Sequence, residues 1–457
     1  MNLTQQQTRY QRMTQNNLYP LLWRMAVPSM IGMMVSSIYS MTDTFFVGLL
    51  GRTALTASVG IVFSFISVIQ AIGFWFGYGS GNYISRQIGK KNYVEAETMA
   101  ATGFVLSVIV GVAVSTSGLL FIRPLATLLG AGISTELMDA TVSYLCITLF
   151  SVPFMLASNV LYNELRLQGS ARDSMIGLLV GMLLNIILDP VFILVFDMGV
   201  AGAALASLIG QVLGLVILLI FTGKDDNISI YLHRCKLNSF YIKEILIGGA
   251  PNFCRQGISS IATVLFNQMA GTFGEAGIAS VTIGLRIIAM GYALVIGFGQ
   301  GFQPICAINY GAGKITRVKK GFLYSFLTAS VFLGVAALLI SINAETLIDR
   351  FSNTSDVKLI GTRFLRAQCV VLPFMGYYIL IGMLLQNIGK FGLATLVTIA
   401  ENGIFFIPAV LIMPRIYGLD GLILCNPTAS VCALVFSLII GTNAFKKYLI
   451  TKETEGV

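Results

Sequence analysis

Apolar runs of about 22 to 28 residues, separated by short polar breaks, fill the chain from residue 22 to residue 443. A hydrocarbon core of ~30 Å is crossed by about 20 helical residues, so each run is long enough to span a bilayer. The first six lie at 22–47, 54–79, 98–121, 138–163, 174–196 and 200–222. A polar stretch, TGKDDNISIYLHRCKLNSFYIK, intervenes, and six more follow at 245–271, 277–304, 320–342, 366–388, 393–414 and 419–443. Ahead of them, MNLTQQQTRYQRMTQNN lacks the apolar core and small-residue cleavage site of a signal peptide, and is expected to be an uncleaved tail.

The two sets of six resemble each other. AVPSMIGMMVSSIYSMTDTFFVGLLG (26–51) aligns with GAPNFCRQGISSIATVLFNQMAGTFG (249–274), and VPFMLASNVLYNELRLQG (152–169) with LPFMGYYILIGMLLQNIG (372–389). GVAG (199–202) aligns with GLDG (418–421) at a nearly constant offset. Each set has the same in/out sense, which makes this a parallel repeat about an axis along the membrane normal. The chain therefore reads as an all-α polytopic membrane protein: twelve transmembrane helices in two six-helix lobes related by a parallel internal repeat. Its expected parts are a tail (1–20), an N-lobe (21–222), a linker (223–244), a C-lobe (245–445) and a second tail (446–457).

Composition narrows the class. Only 11% of residues are charged, against about 25% in soluble domains, which excludes a soluble enzyme, a secreted disulfide scaffold and a disordered chain. Of the 29 Lys and Arg, twenty fall in segments on the side of the N-terminus, seven on the opposite side, and Arg255 and Arg286 within spans. That bias places both termini in the cytoplasm of a multi-pass plasma or inner membrane protein. The net charge of +9 then reflects loops facing anionic lipid of the bilayer rather than nucleic acid. Six of the seven cysteines sit in apolar runs and none forms a CxxC pair, so they read as small buried hydrophobes.

Ionisable residues inside spans are the strongest functional pointers in such a chain. Span 1 carries Asp43, span 5 Asp189 and span 11 Glu401, while Glu164 closes span 4 near Arg166 at the cytoplasmic rim. Arg255, Arg286 and Glu401 form a candidate C-lobe charge network, balanced internally; the two arginines alternatively contact an anionic substrate. No Lys or Arg lies deep in the first six spans, so Asp43 and Asp189 lack an evident cation. A carboxylate so placed takes up a proton or binds a metal cation. Asp189 lies roughly 22 Å from the start of span 5, and Asp43 is similarly far along span 1. Asn185 and Tyr39 sit one turn before these aspartates and share their faces, and Ser207 falls about seven residues into span 6 at comparable depth. These groups suit Na⁺ binding, at Asp43, Asn185, Asp189 and Ser207, or a proton relay. The plainer alternatives are a hydrated Asp43 near the outer interface and an Asp189 that satisfies backbone ahead of Pro190.

Other signals carry less. Met33 and Met34, among five methionines of span 1, offer an adaptable substrate surface or ordinary packing. Asn159 and Asn163 face the same cavity or bond neighbouring helices. Pro28 is a bend point in span 1 or a tolerated membrane proline. GYGSG (77–81) and GFGQG (297–301) follow no strand and lack a phosphate-loop Lys-Ser/Thr, so they read as helix-packing glycines. The sole histidine, His233, lies in the polar linker, which disfavours intramembrane metal–histidine or histidine-base chemistry.

In MTDTFFVGLLG (41–51), GSGNYISRQIGKKN (79–92), NELRLQGSARDS (163–174) and NIILDPVFILVFDMGVAGAALAS (185–207) the chain resembles multidrug and toxic compound extrusion (MATE) transporters. The Asp pair with Asn185 is similar to the DinF branch, and the overall pattern to its MepA-like group. The resemblance implies efflux of amphipathic, often cationic drugs in exchange for H⁺ or Na⁺, with no other cofactor, by a functional monomer, in a prokaryotic membrane. It carries family cation-site roles onto Asp43, Asn185 and Asp189, and onto Ser207 where the family commonly has Thr; Tyr39 and Pro28 match an aromatic near the site and a bending proline. Where the NorM branch has acidic residues in spans 7 and 10, this chain has Ser259 and Tyr377, which disfavours coupling there.

The expectation is a drug/cation antiporter and not an enzyme. The nearest alternative is a lipid-linked oligosaccharide flippase of the same superfamily, which would line its cavity with more cations. A major-facilitator transporter would carry an Asp-Arg pattern absent from ISRQIGKKN, and a membrane acyltransferase is disfavoured by the lack of an intramembrane histidine.

Overall fold

The computed structural model describes residues 3–48, 53–224, 227–352 and 354–450, with side chains described for 9–36, 54–224, 227–352 and 354–449. Every regular element among them is helical. In order these are α1 (Leu3–Gln15), α2 (Leu18–Gly48), α3 (Thr53–Gly89), α4 (Tyr93–Leu120), α5 (Ile122–Leu129), α6 (Thr135–Leu167), α7 (Ala171–Pro190) and α8 (Gly199–Thr222). Then come α9 (Ser239–Gly271), α10 (Gly274–Gly311), α11 (Ile315–Ile342), α12 (Ala344–Asp349), α13 (Ser355–Asn387), α14 (Phe391–Ile399) and α15 (Phe406–Ala444). Wide π turns follow α7 (Val191–Val195) and join α14 to α15 (Ala400–Phe405).

Ten helical stretches among the described residues are long and apolar enough to cross a membrane. Two of the twelve expected spans are not counted separately by length and apolarity alone. The expected spans at 393–414 and 419–443 are arms of one stretch, Phe391–Leu449, which turns at Gly418 where φ is 59° and ψ −135°. That conformation suits a residue without Cβ. The expected span at 245–271 falls on α9, where Asn252, Arg255, Gln256, Asn267 and Gln268 dilute the apolar sequence.

The chain packs as two compact units: residues 1–13 with 31–249, and residues 14–30 with 250–457. Each is organised around the fourth long helix of its repeat. In unit 1, α6 packs against α3, α4, α7 and α8; in unit 2, α13 packs against α10, α11, α14 and α15. Tyr144, Leu145, Leu149, Val59 and Ala203 form one core of unit 1, and Phe266, Phe364, Phe406, Val410 and Leu422 that of unit 2.

Polar segments are also tied down. Arg9 of α1, 4% exposed, donates to Ser170 Oγ at 2.6 Å and Asn227 Oδ1 at 2.7 Å. The linker lies along α3 and α4: Arg234 pairs with the buried Glu97 and Arg86 with Glu244, while Lys236 N donates to Thr102 Oγ1 at 3.1 Å. Tyr83 and Tyr241 both donate to Glu95 Oε1 at 2.9 Å. Burial first, and the Glu95 carboxylate next, push the Tyr241 hydroxyl up to about 12, so it stays a donor at neutral pH. The first arm of α9 presses onto α3, where Trp75 Nε1 donates to Leu246 O at 2.6 Å. A Cβ on Gly249 would stand 1.8 Å from Trp75 O, so only glycine permits that approach.

Candidate functional site

A buried polar cluster of unit 1 lies where α7 ends. Asn185 and Asp189, one turn apart, share a face and are 2% and 0% exposed. Asn185 Nδ2 donates to Asp189 Oδ1 at 3.2 Å and to Ser207 Oγ of α8 at 3.0 Å. Both amide hydrogens thus point at oxygens, and Asn185 Oδ1 is buried with no hydrogen-bond partner among the described residues. A buried amide oxygen in that state costs about 1–3 kcal/mol unless something polar reaches it.

Two local features place these groups. Pro190 contributes no backbone N–H, and α7 passes directly into the π turn, where Phe196 N donates to Val191 O at 2.9 Å, five residues back. Helix interruptions of this kind recur at functional sites. Lower down, α7 and α8 cross through glycines: a Cβ on Gly181 would lie 2.7 Å from Gly210 O, and one on Gly210 2.6 Å from Gly181 O. Backbones this close bring Ser207 within hydrogen-bond reach of Asn185.

Chemically, the cluster offers a carboxylate, an amide oxygen and a hydroxyl in a dry setting. That set can accept a proton or contribute oxygens to a hard cation. No group of three or more His, Cys, Asp or Glu is close enough to hold a metal among the described residues. Asp43 and Tyr39 lie on α2, but their side chains fall outside the described residues; Pro28 is inside α2, two residues before unit 2 gives way to unit 1.

The other expected site residues separate by exposure. Met34 is 46% exposed, and Met33 and Asn159 are half-buried. Asn163 is not open to a cavity. It is fully buried against Gly77 of α3, donates to Asn159 O at 2.8 Å and accepts from Arg166 Nη2 at 2.9 Å. Its role in this geometry is to hold Arg166.

Arg166 and Glu164 are what sequence reasoning underrated. Expected at the cytoplasmic rim, both belong to the last turn of α6, which runs on to Leu167, and they are 0% and 1% exposed. Arg166 lies over the rings of Tyr78 (5.1 Å) and Tyr162 (6.0 Å). Two residues apart on a helix point to different sides, and Glu164 turns away toward Ser80 and Gly103, where a Cβ would come 2.7 Å from its Oε1. Tyr162, one turn before Arg166, was the available signal for an arginine stacked rather than solvated.

In unit 2, Glu401 is 7% exposed and accepts at Oε1 from Tyr378 and, at 3.1 Å, from Ser430. Arg255 acts on it through space. Arg286 is exposed on α10, and no hydrogen bond or ion pair joins it to Glu401 among the described residues. The expected three-residue charge network is thus a carboxylate held by hydroxyls with one arginine behind it.

Comparison with known proteins fits this architecture. A family profile described as MatE matches residues 28–191 and 251–411, one stretch in each repeat. The multidrug export protein MepA of Staphylococcus saprophyticus is 29% identical over 427 residues, 93% of this chain and 94% of its own length. MepA of Staphylococcus haemolyticus is 28% identical over 428 residues with the same coverage. Among solved structures, MATE in a bent conformation matches with a TM-score of 0.90 at 25% identity, over 99% of this chain and 100% of that one. An outward-facing multidrug resistance MATE family transporter of the MOP superfamily matches at 0.87 and 25%, over 95% and 97%.

Proposed function

Because the chain belongs to the MatE family, whose members are membrane transporters rather than enzymes, we propose that it is a secondary active multidrug efflux antiporter. It exports amphipathic, often cationic compounds in exchange for H⁺ or Na⁺, by alternating access between two lobes, with coupling at Asp43 and Asp189. What supports the choice of site is the Asn185–Asp189–Ser207 cluster, buried, polar and containing an amide oxygen with no partner among the described residues. The export of several drugs comes from the names of the relatives.

In this reading H⁺ or Na⁺ enters from outside and loads Asp43 and Asp189, with Asn185 and Ser207 orienting the second carboxylate and Tyr39 beside the first. Loading reshapes α2 at Pro28 and releases drug. In the inward-facing state the ion leaves, and restored negative charge attracts the next cation, which Met33, Met34 and Asn159 receive on adaptable surfaces. Coupling requires only that ion and drug bind the two states with different affinities. No cofactor is needed beyond the ion, the protein works as a monomer, and both termini face the cytoplasm of a bacterial plasma membrane. Moving one net charge per cycle would add about 2.3 kcal/mol per 100 mV of membrane potential.

The test is ethidium and norfloxacin transport in proteoliposomes with proton and sodium gradients imposed separately, for wild type, Asp43→Asn and Asp189→Asn. One gradient is expected to drive wild-type transport, and each variant to lose gradient-driven accumulation. Full accumulation by both variants would sink the assignment of coupling to these aspartates.

A further inference from the structure

The helix ends of unit 2 that meet at the π segment Phe445–Ile450 gather positive charge. Residues 309–330, 386–399 and 437–449 hold seven Lys and Arg and no Asp or Glu. Around the linker of unit 1, by contrast, cations meet carboxylates: Lys224 Nζ stands 2.9 Å from Asp173 Oδ1, Arg86 pairs with Glu244 and Arg234 with Glu97. In unit 2, Lys314 and Arg317 are spent on backbone, donating to Thr14 O at 3.0 Å and Asn16 O at 2.7 Å. Among the described residues no ion pair reaches Lys320, Lys390 or Lys447.

The π segment draws three helices together here. Phe445 packs on Phe322 of α11 with ring centroids 5.2 Å apart, and Tyr448 is reached by Lys390 at the start of α14. Lys390 Nζ lies 4.1 Å from the Tyr448 ring centroid and Lys447 Nζ 5.6 Å from the same centroid. One aromatic face thus holds two ammonium groups. They stand within about 10 Å of each other, a Debye length at 0.1 M salt, so they repel until an anion joins them. Lys320 and Lys447 are exposed and Lys390 is half-buried.

Apolar surface rises directly from these charges. Lys320 starts a stripe on α11 along which Leu323, Leu327, Val331, Val335, Leu338 and Ile342 are all exposed. At 1.5 Å per residue the stripe is about 33 Å long, the thickness of a hydrocarbon core. Val431, Val435 and Ile439 are exposed on the last arm of α15, ahead of Lys447. Ammonium groups at the foot of apolar helix faces match a molecule with an anionic head and long hydrocarbon tails. Basic pockets between membrane helices take such lipid heads.

We propose that this end of unit 2 is a binding site for an anionic phospholipid. Its phosphate sits among Lys320, Lys390 and Lys447, with Tyr448 positioning the last two, and its acyl chains lie along α11 and the last arm of α15. A basic surface that merely faces the bilayer would show no dependence on which lysines carry the charge; this site does.

Native mass spectrometry of the full-length protein in neutral detergent, titrated with phosphatidylglycerol or phosphatidylcholine, reads the apparent Kd of the first bound lipid. Wild type should prefer phosphatidylglycerol at least tenfold. A lysine at a membrane surface is worth about fivefold. Lys320→Gln/Lys390→Gln/Lys447→Gln should therefore weaken phosphatidylglycerol on the order of a hundredfold and leave phosphatidylcholine unchanged. Lys90→Gln/Arg172→Gln/Lys243→Gln removes the same charge from exposed positions of unit 1 and should keep the wild-type preference. The proposal is overturned if wild type binds both lipids equally, or if the two triple variants lose the preference alike. Displacement of the lipid by equimolar glycerol phosphate would assign the site to a soluble anion and overturn it as well. Should the unit 2 triple variant not fold, Lys447→Gln alone carries the test, and an unchanged Kd for phosphatidylglycerol then refutes the site.

Discussion

Ser207 gives the Asn185–Asp189 cluster its third oxygen, and its contribution is separable from its bulk. It accepts from Asn185 Nδ2 at 3.0 Å, a contact worth about 1 kcal/mol, or about fivefold in an equilibrium constant. Ser207→Ala should raise the half-saturating concentration of the coupling ion about fivefold in gradient-driven ethidium transport, whereas Ser207→Thr, which restores a hydroxyl, should stay near wild type. Residue by residue, the sequence made this cluster legible because i, i+4 spacing alone puts Asn185 and Asp189 on one face. It placed Glu164 and Arg166 only at the cytoplasmic rim, because a polar residue near a span end marks no more than where an apolar run stops. Whether α6 continues through it, and whether Tyr78 of a distant helix covers it, depends on tertiary packing. The same limit applies to Glu401: opposite charges in neighbouring spans suggest an ion pair, but side-chain direction assigned it two hydroxyls.

At the level of the helix, the α7–α8 crossing does the positioning. Glycine at 210 is required by distance, since a Cβ would approach Gly181 O to 2.6 Å. Gly210→Val should force the helices apart, cost about 1–3 kcal/mol and, by removing Ser207 from Asn185, raise the half-saturating ion concentration at least as much as Ser207→Ala does. Gly60→Ala on α3, where nothing lies within 4 Å, should leave the melting temperature and transport unchanged. Thermal unfolding of the purified variants, run beside the transport assay, checks both. Helix existence was plain from apolar run length, and so was the repeat. The separation of the last two spans was legible too, since Arg415 and Asp420 flank the turn at Gly418. The π segments at Val191–Val195, Ala400–Phe405 and Phe445–Ile450 were not.

Over the whole molecule, the linker is the least expected part. Its polarity suggests a solvated tether, yet Arg234 on Glu97 and Tyr241 on Glu95 fasten it to α4. Trypsin should therefore cut slowly at Arg234 and Lys236 in the wild type. In Arg234→Ala/Tyr241→Phe, cleavage at Lys236 should accelerate on the order of tenfold, as local opening becomes easier; equal rates would mean the clamp contributes nothing. Hydropathy could not foresee this, since burial of Glu97 depends on a partner far along the chain.

The division of α2 and α9 between units bears on how the protein is made. Unit 1 includes residues 31–249 and so takes the first arm of α9, while unit 2 takes residues 14–30 from the start of α2. A chain leaving the ribosome N-terminus first cannot complete unit 1 until residue 249 has emerged. The arm at 14–30 is among the first segments synthesised, and must then wait for the second repeat before its own partners exist. Such long sequence separation slows folding and leaves that arm exposed to mispairing during synthesis. The two repeats, alike as they are, are thus not independent folding products: each unit is finished with a piece translated alongside the other.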